Sequence, residues 1–145
     1  MDPAELTRLL AIVDPACSPG RVTLITRYGA TKIAHHLPLH LAAVNQSSHR
    51  DCVIWQSDPM HGNTKGVQVG GKEVKTRMMA DVLGELAEAV RIHKEIGLRP
   101  LGGAHLELTA EGWREGRTVT ECVGGSMELG EEALGDRFES YCDRE

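Results

Sequence analysis

Short apolar segments with the character of buried strands alternate along this chain with longer segments of helical periodicity. Three of the strand-like segments, residues 22–26, 53–56 and 104–109, are rich in apolar or β-branched residues. No long linker or low-complexity tract interrupts the alternation. This order is typical of a parallel α/β sheet with helices packed outside it, and it predicts one continuous domain over residues 1–145.

The predicted helices are marked by capping residues and by the spacing of apolar side chains. Asp2 and Pro3 form a typical helix start, and a second helix is predicted over residues 30–46. A third helix follows a glycine-rich loop at residues 66–71 and ends near Gly97. Its expected apolar stripe consists of Val74, Met78, Val82, Leu86 and Val90.

Side chains suited to chemistry lie at the predicted strand ends. Arg27 follows the first strand, His61 follows the second, Glu107 lies in the third, and Asp143 follows a last helix over residues 129–140. Because ligands bind at the carboxyl ends of parallel strands, we expect these groups to share one edge. One imidazole and two carboxylates suit manganese, iron, cobalt or zinc better than calcium or magnesium. The alternative is structural: a hydrogen-bonded histidine, and a glutamate paired with a nearby lysine or arginine.

A second cluster of charge predicts an anion site beside the first. Arg27, Lys75 and Arg77 border the same predicted edge, and arginine forks match phosphate or carboxylate oxygens. The alternative for Lys75 and Arg77 is that they begin a solvated helix face. The glycines at residues 70–71 fit neither the Walker nor the dinucleotide pattern, so no nucleotide is expected.

Composition argues against several other classes of protein. A net charge of -5, with one Phe, two Tyr and two Trp, is unlike a nucleic-acid-binding surface. No apolar run approaches the roughly 20 residues that span a bilayer, and the first residues lack a signal-peptide pattern. We therefore expect a cytoplasmic protein with no nucleic-acid and no membrane partner. The cysteines, Cys17, Cys52, Cys122 and Cys142, are widely spaced, and we interpret them as reduced thiols.

Six segments occur in the order of a known family. They are residues 24–29, 57–64, 75–77, 105–109, 120–125 and 142–143. Together they resemble the class II DAHP synthases, which make 3-deoxy-D-arabino-heptulosonate 7-phosphate from phosphoenolpyruvate and erythrose 4-phosphate. The resemblance covers nearly the whole chain and corresponds to about the carboxyl-terminal half of the family's catalytic barrel.

The resemblance also implies a set of site residues. His61, Glu107 and Asp143 match three of the family's metal ligands, with manganese the first expectation and cobalt, iron or zinc the alternatives. Arg27 matches an arginine that holds the phosphate or carboxylate of phosphoenolpyruvate, and Lys75 and Arg77 match a basic motif near it. His61, Glu107 and Arg27 would then be the catalytic residues. The family's fourth ligand, a cysteine, has no match in this chain.

The implied fold is half of a TIM-type (β/α)8 barrel, with about four parallel strands and outer helices. Such a half leaves two sheet edges and one face open, so we expect a homodimer or a complementary half-barrel subunit to complete it. The expected reaction is an aldol-type condensation of phosphoenolpyruvate, or a related oxoacid, with an aldose phosphate or aldehyde in aromatic biosynthesis. Two alternatives stay open: a non-catalytic binding or regulatory partner of another barrel protein, and a different metal-dependent lyase or hydrolase with the same ligands.

Overall fold

The structure is a computed structural model that describes residues 1–69 and 72–107. In chain order the elements are α1 (Pro3–Val13), β1 (Thr23–Thr26), α2 (Ile33–Asn45), β2 (Ile54–Ser57), a 3-10 turn (His61–Asn63), β3 (Lys65–Val69), β4 (Lys72–Thr76), α3 (Met79–Ile96) and β5 (Gly103–Ala104). Segment 120–125 of the family resemblance, the predicted helix at 129–140 and Asp143 lie outside the described residues. None of the helices within the described ranges is both long and apolar enough to cross a lipid bilayer.

The central sheet is parallel, with the strands in the order β1-β2-β5. Thr26 pairs with Ser57 at the end of β1 and β2, and Ser57 pairs with Ala104 of β5. The carboxyl ends of the strands therefore meet at one edge. This confirms the predicted α/β class with a parallel sheet, although β5 is shorter than the predicted strand at 104–109.

The helices cover one face of this sheet. The buried apolar cluster contains Leu6, Leu10, Ile33, Leu37, Leu41, Val44, Val53, Trp55, Ala89 and Ile92. Each large aliphatic side chain buried in this way contributes roughly 1.5–3 kcal/mol to the free energy of unfolding. Because side chains alternate along a strand, Ile25 and Ile54 project from the opposite face, where they are 46% and 38% exposed. The described part of the sheet is thus packed on one side only.

The start of α1 follows the predicted capping pattern. The Asp2 side chain accepts hydrogen bonds from the backbone N–H groups of Ala4 and Glu5, and Pro3 occupies the first turn. An aspartate in this position satisfies N–H groups that a helix leaves unpaired, which is worth about 1 kcal/mol. This helix then places Leu6 and Leu10 in the core.

The sequence pattern predicted a loop over the glycine-rich segment, but its described residues, 66–69, belong to a strand. β3 and β4 form an antiparallel hairpin in which Lys65 pairs with Thr76 and Val69 with Lys72. Val74 and Lys75 therefore lie on β4, and α3 begins only at Met79. The reason is the density of β-branched residues on both arms, which favours extended pairing.

The predicted apolar stripe of α3 is also wrong in part. Its buried residues are Val82, Glu85, Ala89, Ile92 and His93, whereas Val90 is exposed. A strict spacing of four residues turns by about 40° per step relative to the helix, so such a stripe drifts away from the core. The true buried face contains a glutamate and a histidine in place of the apolar residues we expected.

The interpretation of all four cysteines as reduced thiols is wrong for two of them. Cys17 and Cys52, which are 35 residues apart in the chain, form a disulfide. The connection between α1 and β1 lies beside the start of β2, where Gly20 N–H donates to the carbonyl oxygen of Cys52 at 2.8 Å. Wide spacing in sequence therefore gave no sign of the contact. Cys122 and Cys142 lie outside the described residues.

Candidate functional site at the carboxyl edge of the sheet

Asp58 lies directly after β2 and is completely buried. Its Oδ1 accepts the backbone N–H groups of Met60 at 3.1 Å and His61 at 3.2 Å. Its Oδ2 forms an ion pair with Arg27 Nε at 2.6 Å and accepts a hydrogen bond from His61 Nδ1 at 2.8 Å. Burial favours a higher pKa for Asp58, but the hydrogen bonds from His61 and Met60 outweigh it and hold the pKa below its ordinary value. An ionised carboxylate therefore anchors both Arg27 and His61.

His61 connects this buried anchor to the partly exposed edge. Its Nδ1 faces Asp58, and its Nε2 lies 3.1 Å from Glu107 Oε1. The His61 and Glu107 side chains are 35% and 41% exposed. The structure thus brings together two of the residues predicted to bind metal, while Asp143 lies outside the described part of the chain.

His105 is a further imidazole at the same edge. Its backbone N–H donates to the carbonyl oxygen of Ser57 at 2.8 Å, which fixes the segment after β5. Its Nε2 lies 3.8 Å from Glu107 Oε1, and its ring centroid lies 6.0 Å from that of His61. Asp58, His61 and His105 each offer one ligand atom within 4.8 Å of the others.

The residues at this edge fit a divalent metal ion. Imidazole nitrogen and carboxylate oxygen are suitable donors for manganese, iron, cobalt and zinc. Asp58 accepts three hydrogen bonds and forms an ion pair with Arg27, so both of its oxygens are already engaged. His61 Nε2, Glu107 Oε1 and the neighbouring His105 imidazole are more accessible. The better ligand set is therefore the outer group, with Asp58 behind it.

The three residues predicted for the anion site have different positions. Arg27 projects from the end of β1 and is 54% exposed despite its ion pair with Asp58. Arg77 is buried and its Nε donates to the carbonyl oxygen of Met60 at 2.5 Å, so it does not begin a solvated helix face. Lys75 lies on β4, where it pairs with Gly66.

Two glycines bring the segments that carry Arg27 and His61 into backbone contact. Gly29 has a φ of +86°, a conformation that residues with a side chain rarely adopt. A Cβ added to Gly62 would lie only 2.4 Å from the backbone nitrogen of Gly29. Asn63 strengthens the contact, because its Oδ1 accepts the backbone N–H of Ala30 at 2.9 Å. The two segments therefore form one packed unit.

The Glu85 carboxylate of α3 accepts hydrogen bonds from both segments of this unit. Its Oε1 accepts the backbone N–H groups of Tyr28 and Gly29, both at 3.0 Å, and its Oε2 accepts Asn63 Nδ2 at 2.7 Å. Burial raises the pKa of Glu85, and these hydrogen bonds offset the increase only in part. Burial, and then the charge of Glu85, raise the pKa of Tyr28 to about 12. A carboxylate on a helix thus holds both strand-end segments.

Sequence reasoning missed Asp58, Glu85 and His105, although each left a signal. An Asp-Pro pair directly after a buried strand is typical of a turn in which the aspartate accepts nearby N–H groups. His105 stands two residues before Glu107, and such spacing in extended chain places both side chains on one side. Glu85 follows Val82 and precedes Ala89 at helical spacing, so its position on the buried face could be read from the sequence.

Comparisons with known proteins agree with the resemblance. Residues 1–144 match the class-II DAHP synthetase family. A phospho-2-dehydro-3-deoxyheptonate aldolase of Neurospora crassa is 46% identical over 140 residues, which are 97% of this chain and 27% of that protein. The corresponding aldolase of Streptomyces coelicolor is 42% identical over 139 residues, 96% of this chain and 28% of its own length. The aldolase AroG of Mycolicibacterium smegmatis is 39% identical over 131 residues, 90% of this chain and 26% of its own length.

The chain spans about a quarter of the length of the curated relatives that it matches. The match nevertheless includes the segments that carry Arg27, His61 and Glu107, since it extends over residues 1–144. This chain belongs to the class-II DAHP synthetase family.

Proposed function

We propose that this chain forms part of a metal-dependent enzyme that condenses phosphoenolpyruvate, or a related oxoacid, with an aldose phosphate or aldehyde. The observation that carries the proposal is the approach of His61 Nε2 to Glu107 Oε1, 3.1 Å apart, at the sheet edge where Arg27 follows β1. Two lone-pair donors and an arginine fork at one edge suit a cation and an anionic substrate together. The names of the relatives, phospho-2-dehydro-3-deoxyheptonate aldolases, support the same reaction class.

His61 and Glu107 would hold the metal ion, with Asp143 as the third ligand implied by the family resemblance and His105 close by. Manganese is the first choice, with cobalt, iron or zinc as alternatives. When bound, the ion would supply Lewis-acid polarisation of the aldehyde oxygen.

The side chains of this chain would do the remaining work. Arg27 would bind the phosphate or carboxylate of phosphoenolpyruvate, because a guanidinium engaged at Nε keeps its terminal N–H groups for an oxyanion. Arg77 and Lys75 would add positive charge that attracts the same anion. The attacking carbon of phosphoenolpyruvate would then be held close to the aldehyde, and such positioning lowers the barrier by several kcal/mol.

The direct test is titration of the purified protein with Mn2+ by isothermal calorimetry. His61→Ala and Glu107→Ala should each weaken binding at least tenfold, because each removes a donor atom. His35→Ala, which removes an exposed histidine of α2, is the matched control and should bind Mn2+ like the wild type. Unchanged affinity in both site variants would refute the metal site. Phosphate release from phosphoenolpyruvate with erythrose 4-phosphate then tests the reaction.

We infer that the functional form is a homodimer in which two half barrels complete each other. The support is the sheet face that carries the exposed Ile25 and Ile54, and the outer positions of β1 and β5 in the described sheet. If a different, complementary subunit completes the barrel, this chain would instead act as a binding partner of another barrel protein. Light scattering should give the mass of a dimer, and a stable monomer at micromolar concentration would contradict this inference. A cytoplasmic location without nucleic-acid or membrane partners belongs to the same proposal.

A further inference from the structure

We propose that Asp58 is a positioning residue that sets both the metal-binding orientation of His61 and the anion-binding orientation of Arg27, and that it is not a metal ligand. The inference rests on the proposed function, because it concerns the same site. It adds that one buried carboxylate joins the two halves of the site. Loss of this single group should therefore weaken cation and anion binding together.

The first argument is that the Asp58 carboxylate is already fully engaged. It is completely buried. Its Oδ1 accepts two hydrogen bonds, at 3.1 and 3.2 Å, and its Oδ2 accepts one from His61 Nδ1 at 2.8 Å and forms the ion pair with Arg27 Nε at 2.6 Å. A carboxylate has about four lone-pair directions, so none is left for an ion. Coordination by Asp58 would require the N–H groups of Met60 and His61, or the Arg27 guanidinium, to lose their acceptor.

The second argument concerns the two nitrogens of His61. Asp58 accepts the Nδ1–H of His61 at 2.8 Å, so Nε2 is the ring nitrogen whose lone pair can bind a metal ion. Nε2 is also the atom that lies 3.1 Å from Glu107 Oε1. A carboxylate behind a metal-binding imidazole fixes the ring and its tautomer, and removal of such a group typically costs 10–100-fold in metal affinity. The Asp58 and Glu107 carboxylates therefore face different nitrogens of the His61 ring. Asp58 orients the ring, and Glu107 lies beside the nitrogen that would bind the metal ion.

The third argument concerns Arg27. An arginine with more than half of its side-chain surface exposed would normally sample many rotamers, and ordering it costs free energy on binding. The contact from Arg27 Nε to Asp58 Oδ2, at 2.6 Å, restricts the guanidinium before any anion arrives. Preorganisation of this kind strengthens binding without a new contact to the ligand.

Asp58→Asn tests the inference, and Asp51→Asn is its matched control. Asp51 also accepts from two arginines, Arg50 at 3.1 Å and Arg99 at 3.2 Å, but it is exposed at the surface. In titrations with Co2+, Asp58→Asn should weaken affinity 10–100-fold, and Asp51→Asn should not change it. Equal affinity in Asp58→Asn and wild type would overturn the proposal.

The absorption spectrum of bound Co2+ separates a positioning residue from a ligand. At saturation, Asp58→Asn should keep the visible band positions of the wild type, because the donor atoms stay the same. His61→Ala should shift them. A shifted spectrum in Asp58→Asn, similar in size to that of His61→Ala, would show that Asp58 coordinates the ion and would overturn the proposal.

The anion half is tested with inorganic phosphate as the probe. Asp58→Asn should weaken phosphate binding several-fold in the wild-type background and should have no further effect in an Arg27→Ala background. The effect of Asp58→Asn on Co2+ affinity should be the same in the Arg27→Ala background as in the wild-type background. An effect on phosphate that is the same in both backgrounds would contradict a role through Arg27.

One measurement does not depend on the folding of any variant. In the wild-type protein loaded with Zn2+, nitrogen–proton correlation spectra of the His61 ring should show a proton on Nδ1 and metal at Nε2. Metal at Nδ1 would overturn the proposal. If both His61→Ala and Glu107→Ala leave metal affinity unchanged, the proposed function itself fails. If those two variants weaken it and Asp58→Asn does not, the positioning role alone fails.

Discussion

The two ends of the parallel sheet are stabilised by different kinds of contact. At the carboxyl end, Asp58 is ionised and held by three hydrogen bonds and the ion pair with Arg27, and Glu85 accepts three further hydrogen bonds. At the amino end, Cys17 and Cys52 are joined covalently, and burial keeps the pKa of His93 below its ordinary value, so that its ring stays neutral. The amino end also buries Asp14, whose Oδ2 accepts the backbone N–H of Ser18 at 2.8 Å. The difference is therefore that the charge of the carboxyl end lies beside the candidate metal and anion ligands, whereas the amino end is held together by a covalent link.

This difference separates the work of the two ends. Fixed charge in a partly desolvated place interacts strongly with ions and with other side chains, which is useful for binding. Covalent and neutral contacts restrict the chain without creating such a field. We therefore expect substitutions at the carboxyl end to change binding and stability together, and substitutions at the amino end to change stability alone.

The largest effect is expected from Glu85→Ala. This variant leaves the backbone N–H groups of Tyr28 and Gly29 and the Asn63 amide without their acceptor, and it should lower the free energy of unfolding by about 4 kcal/mol. Metal affinity should fall as well, because Asn63 belongs to the turn that begins at His61. Urea unfolding and Mn2+ titration measure the two effects.

Glu88→Ala on the same helix is the control for Glu85→Ala. Glu88 pairs with Arg91 at the surface, so its loss should cost less than about 1 kcal/mol. Glu85→Gln should lie between the two, since an amide oxygen can still accept from the backbone while its N–H2 group faces the Asn63 amide. If Glu85→Ala unfolds at the same urea concentration as Glu88→Ala, the role of Glu85 as an anchor is wrong.

The next effect is expected at the other end of the sheet. Replacement of Cys17 and Cys52 by serine releases a covalent connection across 35 residues and should lower the free energy of unfolding by roughly 3 kcal/mol. Mn2+ affinity should not change, because the disulfide lies at the end of β2 away from His61. A loss of metal affinity comparable to that of Glu85→Ala would show that the two ends are coupled and would break the comparison.

The smallest effect concerns His93, which is buried against Trp55 with ring centroids 5.7 Å apart. Burial lowers the pKa of His93, and the hydrogen bond to the carbonyl oxygen of Arg99 opposes this only in part. Below pH 6.5, its ordinary pKa, the unfolded chain takes up a proton that the folded chain excludes, so stability falls as the pH falls.

The decrease due to one group is at most about 1.4 kcal/mol per pH unit. His93→Gln should therefore flatten the stability curve between pH 7 and pH 5. Urea midpoints of both proteins across this range give the measurement. Curves that stay parallel would show that His93 contributes nothing to the acid sensitivity.

The sequence was informative wherever the decisive contact follows from the parallel order of the strands. The proximity of His61 and Glu107 was predictable because His61 follows β2 and Glu107 follows β5. The carboxyl ends of parallel strands in one sheet lie at the same edge. The hairpin of β3 and β4 was missed although the glycines at residues 70–71 separate two β-branched arms, which is itself a hairpin signal. The spacing of four residues from Val74 to Val90 competes with this signal, because it favours a helix.

Other contacts could not be derived from the sequence alone. The Cys17–Cys52 disulfide depends on how the connection after α1 returns to the start of β2, and no local pattern encodes that path. Asp58 accepts from Met60 and His61 of its own turn, but its ion-pair partner Arg27 comes from the end of the neighbouring strand β1. The sequence contains each partner, but only the packing of the strands determines which acceptor each donor finds.

The contact between Gly29 and Gly62 has a consequence for how this site can vary between relatives. A methyl group on either residue would meet backbone atoms at 2.6 Å or less, so neither glycine can be exchanged while the other segment keeps its path. Tolerated changes would have to come in pairs that move both backbones at once. The two segments would then be inherited as a single unit, and grafting one of them into another barrel without its partner would transfer the side chain but not its position.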